Sequence, residues 1–438
     1  MTGPVRARNP WAALAVLCLG NFLILLDTSI VNTAAPQIMG DLDTGIDEIL
    51  WVLNAYLLAL ASLLIVAGRL GDLLGPRRVF VAGLAGFAAA SLLCGAARTP
   101  GELIAARAVQ GTAAAALLPQ ALVLISAIFP PARRGAAFGI FTAVAGLAAV
   151  SGPTLGGLIL TDFGWRWIFL VNLPIGVAGV VATLRLVPDL RSARPAGFDP
   201  VGVLLATAGL VGVAYPLVEG ERLRWGPVVG PVTVPMILAA GVVLLLAFVG
   251  WERRHPAPLV PTGLFADRTF TVAVVITMGT SFALYGFLLV FVIETQTLLG
   301  MSPLLAGVTA LPWTVTLSAV APVAGRLTDR LGGRRLLVVG LTAYAAGVFA
   351  VAAVPAADAT PATFVLPLVL VGIGMGAAIA PTTTEAMRAV RPALAGAASG
   401  VLNTARQVGG VLGAAVAGAP AAAPAGRRPA RQCRRAGR

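Results

Sequence analysis

Two ionisable residues, Asp27 and Arg107, stand inside long apolar runs of the sequence, where a charge is costly. An acid at such a position must face a cavity or take up a proton, and proton uptake linked to ligand occupancy would make it a proton carrier. Arginine keeps its proton but can tune a neighbouring acid. At about 1.5 Å of rise per helical residue, both lie at a similar depth. A hydrated boundary acid and an arginine satisfied by backbone carbonyls are the alternatives.

A second group of charged residues occurs twice in nearly the same letters, each time as a short loop between apolar runs. GRLGDLLGPRR (68–78) and GRLTDRLGGRR (325–335) agree at eight of eleven positions with an offset of 257. The shared positions are Gly68/Gly325, Arg69/Arg326, Leu70/Leu327, Asp72/Asp329, Leu74/Leu331, Gly75/Gly332, Arg77/Arg334 and Arg78/Arg335. A solvated turn would explain the charge but not its repetition. We expect each aspartate and its surrounding arginines to pair with helix ends in one conformation and to release in another.

The composition indicates a membrane protein. The 438 residues have a mean hydropathy of +0.91 and only 11% are charged, whereas a soluble globule has about 25% charged residues. Runs such as 79–97 and 232–251 approach or meet the ~20 apolar residues that span a bilayer as a helix. The predicted fold class is an all-α polytopic membrane protein.

Apolar windows predict thirteen membrane spans. They cover 11–31, 49–68, 79–97, 102–125, 136–160, 166–187, 200–219, 229–250, 270–294, 303–325, 336–355, 362–386 and 394–417. With a cytoplasmic N-terminus, nineteen arginines lie in or beside the inner loops and four lie in the outer loops. The positive-inside rule therefore predicts a cytoplasmic N-terminus and cytoplasmic repeats.

The position of the repeats predicts the organisation of the chain. The copies follow the second and tenth predicted spans, so two spans must be inserted between two halves of six. We predict an N-terminal six-helix half over 1–187, two inserted spans with linkers over 188–268, and a C-terminal half over 269–418. Parallel repeats related by an axis along the membrane normal would give such halves.

Further small and polar residues interrupt the spans. The fifth predicted span contains Gly152, Pro153, Gly156 and Gly157. Proline bends a helix and small residues permit close helix approach, although ordinary packing explains glycines equally well. Gln110, Asn403 and Arg406 are candidates for lining a cavity, and for Arg406 a bond to backbone carbonyls is the alternative.

Five stretches in the expected order resemble the major facilitator superfamily, and within it the fourteen-span drug:proton antiporters. They are LDTSIVNTAAPQI (26–38), GRLGDLLGPRR (68–78), RAVQG (107–111), SGPTLGG (151–157) and WRWIFLVNLPIG (165–176). The resemblance implies two six-helix repeats in the cell membrane and proton-coupled export of small, largely apolar compounds, such as drugs or antibiotics, by alternating access. It also implies proton coupling through Asp27 and Arg107, a cytoplasmic gate in the repeated motif, and a fifth-span signature that favours export over uptake.

Other functions were weighed against this one. Export of one endogenous metabolite is the nearest alternative, and the sequence does not separate the two. A membrane enzyme is disfavoured because the sequence has one histidine and no HExxH, Gly-x-Ser-x-Gly or P-loop motif. We expect no catalytic residue, metal or cofactor, with the proton gradient as the energy source. The net charge of +13 is spread over short loops, which argues against nucleic acid as a partner. The expected partners are a small-molecule substrate, protons and lipid, with the chain acting as a monomer.

The end of the chain carries a separate expectation. After Gly418 it reads APAAAPAGRRPARQCRRAGR, whose prolines oppose a fourteenth helix. Its six arginines would lie outside the cell after thirteen spans, against the positive-inside rule. We therefore expect 419–438 to be a disordered tail left by a frameshift or truncation, with the last span missing and transport weakened or lost; a natural short tail is the alternative.

Overall fold

The structure, a computed structural model, describes residues 9–190, 197, 199–220, 222–355 and 359–418. The helices of this part of the chain are α1 (Pro10–Asp41), α2 (Ile46–Leu74), α3 (Pro76–Ala96), α4 (Pro100–Ile128), α5 (Arg134–Asp162), α6 (Arg166–Leu170), α7 (Asn172–Leu186), α8 (Pro200–Glu219), α9 (Val234–Glu252), α10 (Arg268–Ile293), α11 (Pro303–Thr309), α12 (Leu311–Leu331), α13 (Gly333–Ala352), α14 (Val365–Ala389) and α15 (Ala395–Gly418). Shorter elements are the 3-10 turns Pro131–Arg133, Thr262–Ala266 and Pro392–Leu394, the π-helix Glu294–Leu298, and the antiparallel strands β1 (Pro227–Val229) and β2 (Val232–Thr233). The expected tail at 419–438 lies outside the described residues.

Local capping signals start several of the long helices. The Asn9 side chain accepts hydrogen bonds from the amides of Trp11 and Ala12 at 3.1 and 3.2 Å, where α1 begins. The Thr99 hydroxyl accepts the amide of Glu102 at 3.2 Å, where α4 begins. Both helices also carry proline at their first position. A side-chain oxygen that meets free amides, followed by proline, favours a helix start at that residue.

The repeated sequence breaks the helices at equivalent glycines. Gly75 separates α2 from α3 with φ of +95°, and Gly332 separates α12 from α13 with φ of +80°. Residues with a side chain rarely adopt such angles, so the break requires glycine. The rest of each copy is helical. The loop expected there is therefore confined to one residue.

Twelve helices of the described residues are long and apolar enough to cross a membrane. They correspond to the first twelve predicted spans, with α6 and α7 together forming the sixth. Helix α1 continues to Asp41 rather than ending at 31, because polar residues beyond the apolar window remain helical. The predicted thirteenth span is α15, which is less apolar because it contains Asn403, Arg406 and Gln407.

Two helix pairs make the most extensive contacts between the halves. Helix α2 packs against α15, and α5 packs against α12. The inserted hairpin of α8 and α9 is peripheral: α9 buries 17% of its most apolar window, whereas α1 buries 67%. Helix α8 contacts both α2 and α15. The inserted helices therefore lie beside one of the two junctions between the halves.

Candidate functional site

The carboxylate of Asp27 is completely buried inside the N-terminal half. It accepts hydrogen bonds from Arg107 Nη1 at 2.5 Å, Gln110 Nε2 at 2.9 Å and Asn172 Nδ2 at 3.2 Å. The hydroxyl oxygen of Ser91 accepts from the same Gln110 and Asn172 nitrogens at 2.8 and 3.4 Å. Helices α1, α3, α4 and α7 each supply part of this cluster. Protein donors thus replace water around the charge, as a buried carboxylate needs.

Arg107 is equally enclosed, with 1% of its surface exposed. Its Nε donates to the carbonyl oxygen of Val52 at 3.2 Å, and Nη1 also donates to Gln110 Oε1 at 2.5 Å. The guanidinium carbon lies 4.2 Å from the centre of the Tyr56 ring, a cation–π contact. Removing one partner of a buried ion pair costs about 3–5 kcal/mol, because the other charge is left unpaired. Neither charge can therefore be lost without a compensating change around the other.

The sequence predicted a shared depth for Asp27 and Arg107, and the structure places them in contact. Gln110, which the sequence predicted to line a cavity, bonds to Asp27 and Ser91 and does not line the two cavities described below. Ser91 and Asn172 belong to the same cluster and are not predicted by the sequence. Asn172 lies within the stretch WRWIFLVNLPIG, so a polar residue in a resembling motif was the available signal.

Asp72 joins the two halves at the end of the bundle that carries the repeats. It lies in the last turn of α2, and its carboxylate oxygens accept from the amides of Gly396 at 2.9 Å and Ala397 at 3.0 Å. These amides belong to the first turn of α15, where N–H groups have no partner within the helix. The partial positive charge of that helix terminus also stabilises the carboxylate. We call this contact the Asp72 latch.

Asp329 makes the equivalent contact in the reverse direction. From the end of α12 it accepts from the amides of Gly135 at 2.9 Å and Ala136 at 3.0 Å, in the first turn of α5. Arg388 Nη2 also donates to Asp329 at 2.5 Å and to the carbonyl oxygen of Pro131 at 2.9 Å. This Asp329 latch therefore has an arginine that the Asp72 latch lacks among the described residues.

The arginines of the repeats were expected to pair with helix ends, and among the described residues Arg77 does so. Arg77 donates to a backbone carbonyl of α7, and Arg78 lies 3.8 Å from an aspartate in the loop after α7. Arg334 and Arg335 are exposed. No arginine forms an ion pair with Asp72 in the part of the chain that the structure describes. The glycine turn directs the arginines away from the opposite half, whereas the aspartates point towards it.

The glycine that opens each copy allows the halves to touch. Gly68 of α2 packs directly against the backbone of Gly396 and Gly400 in α15. Gly325 of α12 packs in the same way against two glycines of α5. A Cβ at either position would overlap backbone atoms of the opposite half. Each latch thus combines an aspartate cap with a glycine crossing about one turn away.

The glycines of the fifth predicted span are only partly at a helix contact. A Cβ at Gly152 or Gly156 would meet Ser29 or Ile30 of α1, whereas Gly157 faces open space. The predicted close approach therefore holds for two of the three glycines. Pro153 lies in the same helix, between the two contacts.

A cavity of about 380 Å³ lies between α2, α8, α10 and α15. The rings of Trp51 and Tyr215 stack at its edge, with centres 5.8 Å apart. Glu219 is buried there and accepts from Asn54 Nδ2 at 3.2 Å and from Arg222 Nε at 2.5 Å. The remaining wall is mostly aliphatic. The inserted helix α8 thus contributes one wall of this cavity.

A smaller cavity of about 80 Å³ lies within the C-terminal half, between α10, α13, α14 and α15. Arg406 lines it, as its position in the sequence suggested. Asn403 does not line it; its side chain is buried and accepts from Arg406 Nη1 at 3.2 Å.

The model of the Major Facilitator Superfamily matches residues 17–414. The chain belongs to this superfamily. An uncharacterised major facilitator-type transporter of Mycobacterium tuberculosis is 39% identical over 93% of this chain and 70% of its own length. The puromycin resistance protein of Streptomyces alboniger is 39% identical over 92% of this chain and 80% of its own. Other relatives carry names of antibiotic or multidrug resistance and export proteins.

Solved structures show the same fold. The major facilitator proton:xylose symporter XylE matches with a TM-score of 0.64 at 14% identity, over 92% of this chain and 87% of its own. In major facilitator transporters, substrate sites lie near the bilayer midplane between two repeats that rock against each other. Both latches cross the interface between those repeats. They therefore belong to the contact surface that must separate when the halves move.

Proposed function

We propose that this major facilitator protein exports small, largely apolar compounds, antibiotics or drugs among them, in exchange for protons. The observation that carries the proposal is the pair of equivalent latches at one end of the bundle. Each joins an aspartate of one half to a helix start of the other, so together they close one end of the interface, as one stage of alternating access requires. The relatives that confer antibiotic resistance support the substrate class.

In this proposal the latched end faces the cytoplasm and the N-terminus lies on the same side. The distribution of arginines supports that orientation, because the predicted inner loops and their flanks hold nineteen arginines and the predicted outer loops hold four. The protein acts as a monomer in the bacterial plasma membrane. It uses no cofactor, and the proton gradient supplies the energy.

Asp27 is the proposed proton carrier. Binding of a proton to its carboxylate removes the negative charge and leaves Arg107 without compensation. The donors from α4 and α7 then face a neutral carboxyl group, which accepts hydrogen bonds more weakly than a carboxylate, so the packing of α1 within the N-terminal half changes. A change in protonation is in this way converted into a change in helix packing.

Everted membrane vesicles from a strain without efflux pumps provide the test. With an acidic lumen, vesicles containing the protein should accumulate labelled puromycin or other compounds of a chemically mixed panel, and a protonophore should abolish the accumulation. Accumulation of one metabolite alone would favour the single-metabolite alternative. Equal accumulation with and without a pH gradient would contradict proton coupling. If no compound accumulates, export itself is contradicted.

A further inference from the structure

Arg406 is a charged side chain without an anionic partner at the middle of a membrane helix. It lies near the centre of α15, and its side chain makes one hydrogen bond, from Nη1 to Asn403 Oδ1 at 3.2 Å. No carboxylate of the described residues forms an ion pair with it. A guanidinium carries five N–H donors. Most of its donor capacity is therefore left over, and Arg406 lines the 80 Å³ cavity.

Tyr344 provides a second, independent observation in the same cavity. It lies near the centre of α13, is 5% exposed, and its buried hydroxyl has no hydrogen-bond partner. A buried unpaired hydroxyl is costly, so an unpaired group that faces a cavity indicates a missing partner. A guanidinium with spare donors and a phenol O–H without an acceptor among the described residues thus face one cavity.

The rest of the lining carries no charge. Thr277, Thr382 and Thr383 donate their hydroxyl protons to carbonyls of their own helices, so they supply no donor that would replace Arg406 or Tyr344. Met375 and aliphatic side chains complete the wall. No aspartate or glutamate lines the cavity. A cation would meet the positive charge of Arg406 with nothing to offset it.

We propose that this cavity binds the oxyanion of an acidic and otherwise apolar compound, with Arg406 as the charge partner and Tyr344 as the second donor. The inference rests on the proposed export function and names its substrate class. Guanidinium geometry matches the two oxygens of a carboxylate. The apolar part of the ligand would extend from the small cavity into the space between the halves. Tyr285, which lines both cavities, marks that direction.

The test compares an acid with its uncharged ester. 1-Naphthoate and methyl 1-naphthoate share their apolar part, so their difference in affinity isolates the anion. We expect the purified full chain, in nanodiscs of zwitterionic lipid, to bind the acid at least tenfold more tightly than the ester by calorimetry. Arg406→Gln should remove that preference, Arg406→Lys should keep part of it because the charge remains, and Tyr344→Phe should weaken only the acid, by about threefold.

Two matched controls accompany these variants. Arg98→Gln removes an exposed arginine in the loop between α3 and α4, and Thr342→Val removes an exposed hydroxyl of α13 that lines neither cavity; both should bind the acid as the original chain does. Retained ester binding and an unchanged elution volume show that a variant is folded. If Arg406→Gln fails this check, the effect on the preference for the acid is judged from Arg406→Lys and Tyr344→Phe instead.

The anion could also come from lipid or buffer, and two further arms distinguish these sources. Nanodiscs with phosphatidylglycerol, or buffers with chloride instead of gluconate, should lower acid affinity less than Arg406→Gln does. Stronger competition by either would assign the site to a lipid headgroup or to chloride and overturn the proposal. Equal affinity for acid and ester in the original chain would also overturn it. Acid binding that depends on Arg406 without proton-driven efflux would instead contradict the proposed function alone.

Discussion

At the scale of single residues, the buried pair of Asp27 and Arg107 is both tightly held and responsive to a proton. The pair is buried from solvent, where each charge needs the other. The same dependence makes it responsive, because one proton on Asp27 changes the environment of Arg107, Gln110 and Asn172 together. A carboxylate at the protein surface, with water ready to replace any partner, would transmit no such change.

Replacing Asp27 by asparagine should stop proton-coupled transport and also destabilise the protein. Asparagine keeps the shape but cannot titrate, and the unpaired charge of Arg107 should cost about 3–5 kcal/mol. The double variant Asp27→Asn, Arg107→Gln should regain most of the lost unfolding temperature while remaining inactive. Thermal unfolding and gradient-driven uptake measure the two effects. Undiminished transport by Asp27→Asn would exclude Asp27 as the proton carrier.

The Asp72 latch should depend on its acid more than on its arginines. Asp72→Ala removes both bonds to the first turn of α15, and a lost helix cap costs about 0.5–2 kcal/mol. Arg77→Ala removes one bond to a carbonyl of α7 in the same half, and Arg334→Ala removes an exposed side chain. At equal membrane expression, transport rate should fall most for Asp72→Ala. Equal or inverted losses would argue against the latch.

At the scale of helices, the close crossing of α2 with α15 and of α12 with α5 decides how near the halves can come. Both crossings use glycine against glycine, with backbone atoms in contact. Such contacts tolerate separation but not the insertion of a side chain. The crossings are thus suited to surfaces that part and rejoin during a cycle.

Larger residues at these glycines should hold the latched end open. Gly68→Leu and Gly325→Leu would each place a side chain where the opposite backbone now lies, so we expect at least a tenfold loss of transport rate. Gly250→Leu in α9 is the control, because a Cβ there meets nothing within 4 Å. If the three variants transport alike, close approach at the repeats is not required.

The sequence allowed some of these elements to be predicted because helix geometry is fixed. Apolar windows located the helices, and the regular rise placed Asp27 level with Arg107. Ser91 and Asn172 could not be found in this way, because a single polar residue in an apolar run can face lipid or core until its neighbours are known. The packing of α3 and α7 determines whether Ser91 and Asn172 face lipid or the core.

The partners of the repeated aspartates were missed for a different reason: they are backbone amides, which no residue type reveals. A signal was nevertheless present. PARRGAAFG (131–139) and PALAGAASG (392–400) agree at six of nine positions with an offset of 261. These stretches start α5 and α15, which receive Asp329 and Asp72. One repeat therefore supplies the aspartates and the other supplies the helix starts that bind them.

At the scale of the whole molecule, the two latches are similar in geometry but unequal in strength. Both connect the halves through an aspartate and two amides. Only the Asp329 latch adds Arg388, which also bonds to the opposite half through the carbonyl oxygen of Pro131. The closed end is therefore held more firmly at the junction of α5 and α12 than at the junction of α2 and α15.

This inequality should appear in the distance between the halves. Nitroxide labels at Arg133→Cys and Arg391→Cys, both exposed at the latched end, would report its opening by pulsed electron resonance, in a background without the native cysteines. Asp72→Asn should add a minor population at longer distance, Asp329→Asn a larger one, and the double variant the largest. An unchanged distribution in the double variant would mean that the latches do not hold this end closed.

The amides that receive Asp72 and Asp329 also affect how the protein can diverge. A peptide N–H is present at every residue except proline, so substitutions on the receiving turns leave both bonds in place, except at Gly135 and Gly396, where a Cβ would overlap the opposite half. Away from these glycines, the surfaces of α5 and α15, and the chemistry of adjacent cavities, can therefore change by mutation while closure is kept. Because closure depends on backbone amides, the side chains that select the substrate can evolve separately from the contacts that close this end.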